Sequence, residues 1–320
     1  MKSDLPAPLN ESRNHPRIAI LMATYQGADY LVAQLDSIAA QTLTDWILWV
    51  SDDASSDGTR EILKAYQKHW GHRRLVWREG PCSGFASNFL SLLCDSDIHA
   101  DYYAFADQDD IWRPHKLESA LDFLSRGDNS LPALYCSRTL LIDRGGRDKG
   151  LSGGLRRPPA FANALVQNIA SGNTMVFNRA ARQQAASQGA ALDIPLHDWW
   201  LYMVTSGCGG SVYFSDLPGL LYRQHERNVI GVRGGAGALP GRLRHLFSGD
   251  HHRQIVRNLA ALSLIKPQLI PEHRQCLEHY LEAQQVTGFK RLARLWGCGV
   301  YRQTLPGQLG MLLAAIFNKA

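Results

Sequence analysis

Short apolar runs alternate with stretches of helical spacing along the first hundred positions of the chain. Residues 17–22 (RIAILM) and 46–50 (WILWV) are apolar runs that each lead into a polar, turn-like segment. Such runs are typical of buried strands. Between them, over residues 28–40, leucine and isoleucine recur at the spacing of one helix face. The pattern therefore predicts a strand, a helix and a second strand.

The same alternation continues in units of roughly 30 residues, as in strand–helix–strand folds. The further predicted elements are a helix beginning near residues 57–59, a strand at 74–77, a helical segment at 89–93, and strands at 102–106, 133–137, 174–178 and 211–214. This order indicates an α/β fold, with a mainly parallel sheet that has helices on both faces. In such sheets ligands bind beyond the carboxyl ends of the strands.

The chain divides into three predicted parts. Residues 1–16 are polar and contain prolines, which predicts a disordered N-terminal arm without a signal peptide. Residues 17–231 form the predicted α/β domain, and 239–320 a helical C-terminal extension joined to it by a glycine-rich linker (231–237, GVRGGAG). The longest late apolar stretch, 311–317, is too short to cross a bilayer.

Composition and charge narrow the class of protein. A hydrophobic content of 45% and a charged content of 20% are typical of a globular protein. Six scattered cysteines without a CxxC pair argue against a zinc site or a disulfide framework, so we expect a cytoplasmic protein. Residues 239–320 carry eleven Lys/Arg and four Asp/Glu, whereas the remainder carries 23 and 25. The net charge of +7 on residues 239–320 predicts either peripheral contact with anionic lipid or a solvated helical face. No nucleic-acid-binding motif accompanies it.

An acidic cluster directly follows the predicted strand at residues 102–106. It reads Asp107-Gln-Asp-Asp110, and its carboxylates repel one another unless a cation is present. Mg²⁺ and Mn²⁺ prefer carboxylate oxygens and substrate phosphates. Since alternate residues of an extended segment point the same way, Asp107 and Asp109 are predicted to share the ion. The alternative is an acidic turn that caps the next helix.

A second polar cluster, residues 51–59 (SDDASSDGT), follows the second predicted strand. A carboxylate here can accept hydrogen bonds from a uracil or thymine imide and from ribose hydroxyls. Asp57 is expected to cap the helix that follows. Alone, the cluster is equally typical of a strand–turn–helix junction, and it becomes specific only together with the acidic cluster.

Several segments, taken together and in order, resemble family 2 glycosyltransferases with the GT-A fold. They are residues 23–27 (ATYQG), the pattern Gln34, Ser37, Ile38 and Gln41, and residues 52–59 (DDASSDGT), 107–110 (DQDD), 171–178 (SGNTMVFN) and 221–225 (LYRQH). The sequence of residues 106–112 (ADQDDIW), together with Lys116, resembles that of bacterial rhamnosyltransferases of O-antigen and related polysaccharides. The resemblance covers about residues 18–231 and leaves the C-terminal extension outside.

The resemblance implies roles for residues at the donor side of the site. Thr24, Tyr25 and Asp53 would contact the nucleoside, with Asp52 as the alternative for the base contact, and Asn88 would lie along the donor. Related enzymes often have Asn-x-Gly before this asparagine, whereas this chain reads REGPCSG. Asp107 and Asp109 would hold the metal, with Asp109 nearest the ion.

It also implies roles for residues late in the domain. His225 would complete the metal site, and Arg223 would reach the diphosphate. Asp198 would be the base that takes the acceptor's proton, while Trp199 and Trp200 would stack on the acceptor sugar. The alternative is that Asp198 caps a helix and the tryptophans belong to the core.

The resemblance thus implies an inverting glycosyltransferase that uses Mn²⁺ or Mg²⁺. The favoured donor is dTDP-rhamnose and the acceptor a glycan or a polyprenyl-linked sugar, with a UDP-hexose or UDP-HexNAc transferase as the alternative. A sugar nucleotidyltransferase should have a basic, glycine-rich loop after the first strand, and residues 23–27 have no basic residue. A dehydrogenase would need GxGxxG there, which is missing. An inactive nucleotide-binding module would not need Asp107, Asp109 and Asp198.

Overall fold

The structure, a computed structural model, describes residues 17–226, 228 and 250–316. The predicted N-terminal arm and the predicted linker at residues 231–237 lie outside the described residues. The first half of the domain alternates as predicted. Its elements are β1 (Ile18–Thr24), α1 (Leu31–Ala39), β2 (Trp46–Asp52), α2 (Thr59–Trp70), β3 (Leu75–Glu79), α3 (Phe85–Leu93) and β4 (Tyr102–Ala106).

The second half of the domain is less regular, and the described residues end in helices. The elements are β5 (Ile111–Trp112), α4 (Lys116–Leu124), β6 (Ala133–Ile142), β7 (Asp148–Leu151), α5 (Phe161–Ala164), a 3₁₀ turn (Gly172–Thr174), β8 (Val176–Asn178), α6 (Arg179–Ala186), α7 (His197–Gly207), β9 (Ser211–Arg223), α8 (Asp250–Leu264), a second 3₁₀ turn (Lys266–Gln268), α9 (Pro271–Gln284), α10 (Gly288–Gly297) and α11 (Leu305–Ile316).

All the described strands form one sheet in the order β3-β2-β1-β4-β8-β6-β9-β5, with β7 paired to β6. The strands from β1 to β4 run parallel, and β6 runs parallel to β9, whereas β8 lies antiparallel between β4 and β6. The predicted mainly parallel sheet is therefore confirmed, with antiparallel members in its second half. The sequence pattern missed β5 and β7 because β5 has two residues and every residue of β7 is exposed.

The parallel register of β1, β2 and β4 brings three polar segments to one edge of the sheet. Thr24 at the end of β1 pairs with Asp52 at the end of β2, and Met22 pairs with Ala106, the last residue of β4. The chain leaves these strands into residues 25–27, 53–58 and 107–110, respectively. Segments far apart in sequence thereby become neighbours, as the strand pattern predicts.

Helices pack on both faces of this sheet, and the C-terminal helices share one of the two resulting cores. Ile255 and Leu259 of α8 and Tyr280 of α9 belong to the same buried cluster as Phe177 of β8. The ring of Trp199 in α7 stacks on His251 in α8, with centroids 5.6 Å apart. The helical extension is thus anchored on the α/β domain. Among the described helices, none has the length and apolarity that a bilayer-spanning segment needs.

Candidate functional site

A cavity of about 1320 Å³ opens at the carboxyl ends of β1, β2 and β4. The predicted residues that line it are Thr24, Tyr25, Asp53, Asn88, Asp107, Asp109, Asp198 and His225. Asp52, Trp199, Trp200 and Arg223 are not among the lining residues. The structure therefore brings most of the predicted site into one cleft and separates four residues from it.

The acidic cluster contains three carboxylates that approach one another closely. Ligand oxygens of Asp107, Asp109 and Asp110 all lie within 4.8 Å of one another. Asp110 is fully buried and accepts a hydrogen bond from Nδ2 of Asn173 at 2.5 Å. The alternation argument overlooked Asp110 because it assumed an extended segment, whereas the chain turns after β4. A third carboxylate therefore stands behind the predicted pair.

The electrostatics of this cluster suit a divalent cation. Burial and the charge of neighbouring carboxylates raise the pKa of Asp107 and of Asp110, and burial raises the pKa of Asp109. The one nearby lysine, Lys116, has no hydrogen-bond partner for Nζ among the described residues and lies 3.7 Å above the Trp112 ring. Burial lowers its pKa to about 7. Oxygen ligands with uncompensated negative charge are what Mg²⁺ and Mn²⁺ bind, so the donor set fits such an ion.

His225 lies beside this cluster, as predicted. Its Nε2 is 2.9 Å from Oδ2 of Asp109, and its ring stacks on Tyr30 with centroids 5.0 Å apart. The imidazole is thus placed where it could either pair with the carboxylate or share a metal ion with it. Tyr30, which the sequence patterns did not single out, fixes the plane of the ring.

Arg223 is not among the residues that line the cavity, and its predicted contact with the diphosphate stays a prediction. Its Nε donates to the carbonyl oxygen of Asp109 at 3.2 Å, and a terminal nitrogen donates to the carbonyl oxygen of Arg144 at 3.1 Å. The guanidinium also lies 4.8 Å from the centre of the Tyr30 ring. Because these partners occupy it behind the acidic cluster, Arg223 positions the main chain of Asp109.

The nucleoside end of the cavity is marked by Asp53 and Tyr25. Oδ1 of Asp53 accepts a hydrogen bond from the Cys82 amide at 3.1 Å, and burial raises the pKa of this carboxyl. The Tyr25 side chain is 60% exposed. Its main chain is fixed by Gln108, whose amide side chain accepts from the Tyr25 N–H and donates to its carbonyl, both at 2.9 Å. Gln108 therefore ties the first loop to the acidic cluster.

Asp52 is a structural carboxylate, which corrects the alternative assignment of this residue to the nucleoside base. It is fully buried and accepts hydrogen bonds from Thr24 Oγ1 at 2.8 Å, Ser55 Oγ at 2.6 Å and Arg60 Nε at 2.8 Å. These bonds lower its pKa although burial opposes them. The Thr24 hydroxyl is engaged in the same network. Of the two adjacent aspartates, only Asp53 is open to a ligand.

Asn88 lies on α3 against the same part of the cavity. Its Nδ2 donates to the carbonyl oxygen of Ser51 at 2.9 Å, while its Oδ1 is buried without a hydrogen-bond partner in the described part of the chain. Gly80 lies beside it, and a Cβ at that position would come within 2.2 Å of Asp53 Oδ1. The loop before α3 therefore needs glycine at position 80 to approach Asp53.

Asp198 lies at the start of α7 and faces the cavity. Its Oδ2 accepts from the Gly172 amide at 3.0 Å and its Oδ1 from the Trp199 amide at 2.6 Å. Burial raises its pKa to about 6. Gly172 belongs to the 3₁₀ turn that also contains Asn173, the partner of Asp110. One three-residue turn thus contacts both Asp198 and the acidic cluster.

The two tryptophans after Asp198 belong to the core, and the prediction that they stack on an acceptor is wrong. Trp199 is 2% exposed and Trp200 0%. Their indole nitrogens donate to the carbonyl oxygens of Ala164 at 2.7 Å and Ala185 at 3.0 Å, respectively. Every residue of α7 is buried, so successive side chains enter the core on all sides of the helix.

His197, next to Asp198, is a buried imidazole in an aromatic surrounding. Its ring stacks on Phe89 with centroids 3.8 Å apart, and both ring nitrogens are without a partner among the described residues. Burial lowers its pKa to about 3, so the imidazole is neutral at physiological pH. A neutral imidazole has one donor and one acceptor nitrogen, and here both are buried.

Comparison with known proteins identifies the family of the chain. The chain matches the family model for glycosyl transferase family 2 over residues 19–187. It is 32% identical over 218 residues to the dTDP-rhamnosyl transferase RfbG of Shigella flexneri, an alignment that covers 66% of this chain and 74% of that protein.

Two solved structures share the fold. They are TarS from S. aureus in complex with UDP-GlcNAc (15% identity, TM-score 0.52, 88% of this chain and 89% of that chain) and the mannosyltransferase PcManGT from Pyrobaculum calidifontis in complex with GDP-Man and Mn²⁺ (16% identity, TM-score 0.51, 99% and 89%). This similarity confirms the predicted GT-A fold. Because the family model covers more than half of the sequence, the chain is a glycosyltransferase and belongs to glycosyl transferase family 2.

Proposed function

We propose that the enzyme transfers a sugar, with inversion, from a nucleoside diphosphate to a glycan or polyprenyl-linked acceptor in bacterial surface polysaccharide synthesis. The observation that carries this proposal is that Asp198 and the Asp107–Asp109 pair line one cavity. The same 3₁₀ turn contacts Asp198 and Asp110, the third carboxylate of the acidic cluster. In such a displacement reaction, the base would act on the attacking hydroxyl, and the acidic cluster would bind the leaving diphosphate through a metal ion. We expect the acceptor hydroxyl to attack the sugar from the side of Asp198.

In this proposal the donor binds across the edge of the sheet. Asp53, Tyr25 and Asn88 contact the nucleoside and the adjoining sugar. Asp107, Asp109 and His225 hold a Mn²⁺ or Mg²⁺ ion, which neutralises the charge of the leaving diphosphate when it is bound. Arg223 holds the main chain of Asp109 in place by donating a hydrogen bond from Nε to the carbonyl oxygen of Asp109.

Asp198 acts as the general base. As the new glycosidic bond forms, its carboxylate accepts the proton of the acceptor hydroxyl. The two amide hydrogen bonds from Gly172 and Trp199 fix the carboxylate, and burial keeps its pKa close enough to neutrality for it to hold the transferred proton. Ser137, Thr139 and Phe214 line the cavity from β6 and β9, and we assign them to the acceptor in place of the tryptophans.

We favour rhamnose, carried by dTDP, as the sugar that is transferred. The name of RfbG supports this donor, and so does the apolar part of the cavity wall, where Phe85, Ile169 and Leu196 would suit the methyl group of a 6-deoxy sugar. A UDP-hexose or UDP-HexNAc donor is the alternative, since TarS binds UDP-GlcNAc in the same fold.

A panel of nucleotide sugars tests the proposed donor. The purified enzyme is incubated with Mn²⁺ and each donor in turn, and release of nucleoside diphosphate is measured. We expect the fastest release from dTDP-rhamnose. A clear preference for a UDP-sugar would refute the rhamnose assignment and leave the site assignment intact, whereas release from none of the donors, with or without a glycan acceptor, would count against the proposed reaction.

The proposed acceptor also suggests where the enzyme works. A polyprenyl-linked sugar is presented at a membrane surface, so we infer action at the inner face of the cytoplasmic membrane, with peripheral contact through the basic C-terminal region.

A further inference from the structure

Two C-terminal helices carry large apolar side chains on the surface of the protein. On α10, Phe289 is 79% exposed and Trp296 is 80% exposed. On α11, Leu305, Leu309 and Leu313 are between 53% and 70% exposed. Scattered single apolar residues are common on protein surfaces, but a concentration of this kind on two consecutive helices marks an interaction site. We refer to these five residues as the apolar face.

The spacing of these residues shows that each helix has an inner and an outer apolar side. Positions 289 and 296 are seven residues apart, and 305, 309 and 313 recur every four, so each set lies along one side of its helix. The inner sides are separate: Leu295 on α10 and Met311 on α11 are buried against the rest of the protein. The two helices also contact each other. The apolar face is therefore an outer surface that the fold of this chain leaves exposed.

The sequence around the apolar face is rich in basic residues. Residues 283–320 contain five Lys/Arg and no Asp/Glu. Lys290 and Arg294 are exposed on α10, next to Phe289 and Trp296 in sequence, and Arg294 pairs with Glu282, the last acidic residue of the chain. Aromatic and leucine side chains bordered by lysine and arginine are the composition of helices that lie in the interface of an anionic bilayer.

We propose that the apolar face binds the surface of an anionic lipid bilayer, with Phe289 and Trp296 inserted at the level of the headgroups. A second copy of the chain fits this surface less well, because symmetric pairing would bring the basic side chains of both copies together, and among Lys290 and Arg294 only Arg294 has an acidic partner, Glu282, in the described part of the chain. A solvated helical face would not carry five large apolar side chains. This binding rests on the membrane contact that the proposed function includes, and it does not require a particular donor sugar.

Vesicle co-sedimentation of the full-length protein tests this proposal without any substrate. The vesicles are phosphatidylcholine alone or phosphatidylcholine mixed with phosphatidylglycerol. The variant Phe289→Ser/Trp296→Ser removes both rings, and Leu217→Ser, which alters a 77% exposed leucine of β9, is the matched control. The wild type and the control should sediment with anionic vesicles. The double variant should partition at least about 100-fold more weakly, roughly tenfold for each ring removed.

Circular dichroism and donor hydrolysis without vesicles should be the same for the three proteins, which separates lipid binding from folding and catalysis. Equal partitioning of the double variant and the wild type, or failure of the wild type to bind anionic vesicles, would overturn the proposal. So would a wild-type dimer, measured by light scattering, that the double variant converts to a monomer while neither protein binds lipid; the apolar face would then join two copies.

Discussion

Nε2 of His225 lies 2.9 Å from Oδ2 of Asp109, although 116 positions separate the two residues in the chain. The contact joins the segment after β4 to the segment after β9. It places an imidazole, which suits Mn²⁺, next to the carboxylate that we expect to be nearest the ion. Substitution of these two residues is therefore the most direct test of the proposed metal site.

Replacement of Asp109 by Ala should abolish transfer, and His225→Ala should raise the Mn²⁺ concentration needed for half-maximal rate by about 10-fold, within the range typical for loss of one metal-binding group. EDTA should abolish the transfer activity of the wild type, and addition of Mn²⁺ or Mg²⁺ should restore that activity. The rate is measured against metal concentration. Glu118→Ala, which alters an exposed carboxylate on α4, is the control and should behave as wild type. Full activity of the wild type in EDTA would contradict the assignment.

Replacement of Asp198 by Asn should lower kcat by about 10²–10⁴, the usual contribution of a general base. Binding of nucleoside diphosphate with Mn²⁺, measured by calorimetry, should change little because those contacts are assigned to other residues. Asp193→Asn, five positions earlier and exposed, is the matched control. A variant that keeps its kcat, or that loses nucleotide binding in step with activity, would show that Asp198 is not the base.

The pH dependence of kcat provides a separate test of the same residue. Only the ionised carboxylate can accept a proton, and burial raises the pKa of Asp198 to about 6. The wild-type rate should therefore rise with pH through an inflection at about 6 and level off at higher pH. The Asp198→Asn enzyme should lack this inflection in its residual rate. A wild-type rate that is flat between pH 5 and 7 would argue for a different base.

The adjacent aspartates Asp52 and Asp53 should respond differently to the same change. Asp53→Ala should raise the KM for the donor with little loss of stability. Asp52→Ala should lower the free energy of unfolding by about 1–3 kcal/mol, because it leaves Thr24 and Arg60 without their buried partner. Both quantities are measured for both variants by donor kinetics and urea titration at pH 7. If Asp52→Ala impairs donor binding without loss of stability, the structural assignment is wrong.

The stabilising effect of Asp52 should also depend on pH. Its folded pKa lies below the ordinary value of 3.8, so the folded state favours the ionised form. The stabilisation is then present above that value and is lost as the pH falls through the folded pKa. The difference in unfolding free energy between wild type and Asp52→Ala should narrow as the pH is lowered below about 4.

Trp200→Ala should cost about 3–5 kcal/mol of stability, the range for removal of a large aromatic side chain from a core. Trp200→Phe should cost less, because it keeps most of the packing and loses the bond to Ala185. Urea titration of both variants measures the loss. Normal stability combined with a raised KM for the acceptor would restore the stacking role that the structure contradicts.

The sequence predicted the sheet and the position of the site better than it predicted individual side chains. Strand ends can be recognised from short apolar runs in the sequence. Because β1, β2 and β4 run parallel, the polar segments that follow them must lie at the same edge of the sheet. Which of the two neighbouring aspartates faces the ligand depends on the backbone conformation of the loop after β2. The residues next to Asp52 and Asp53 in the sequence do not determine that conformation. Trp199 and Trp200 were misassigned because α7 is buried on every side, and such a helix lacks the polar side that would orient it.

The 3₁₀ turn at Gly172–Thr174 has a consequence for how such enzymes can diversify. A Cβ on Gly172 would come within 2.7 Å of His197 Nε2, and the next residue, Asn173, binds Asp110. One short segment thus contacts both Asp198 and Asp110, so we expect that the proposed donor and acceptor halves can be exchanged between relatives only if this segment is kept. Changes of acceptor should therefore accumulate on the strands β6 and β9, around Ser137 and Phe214, while the junction between the halves stays constant. Chimaeras that cross over within residues 171–174 should fold and yet fail to turn over, and those that cross over after residue 178 should be the productive ones.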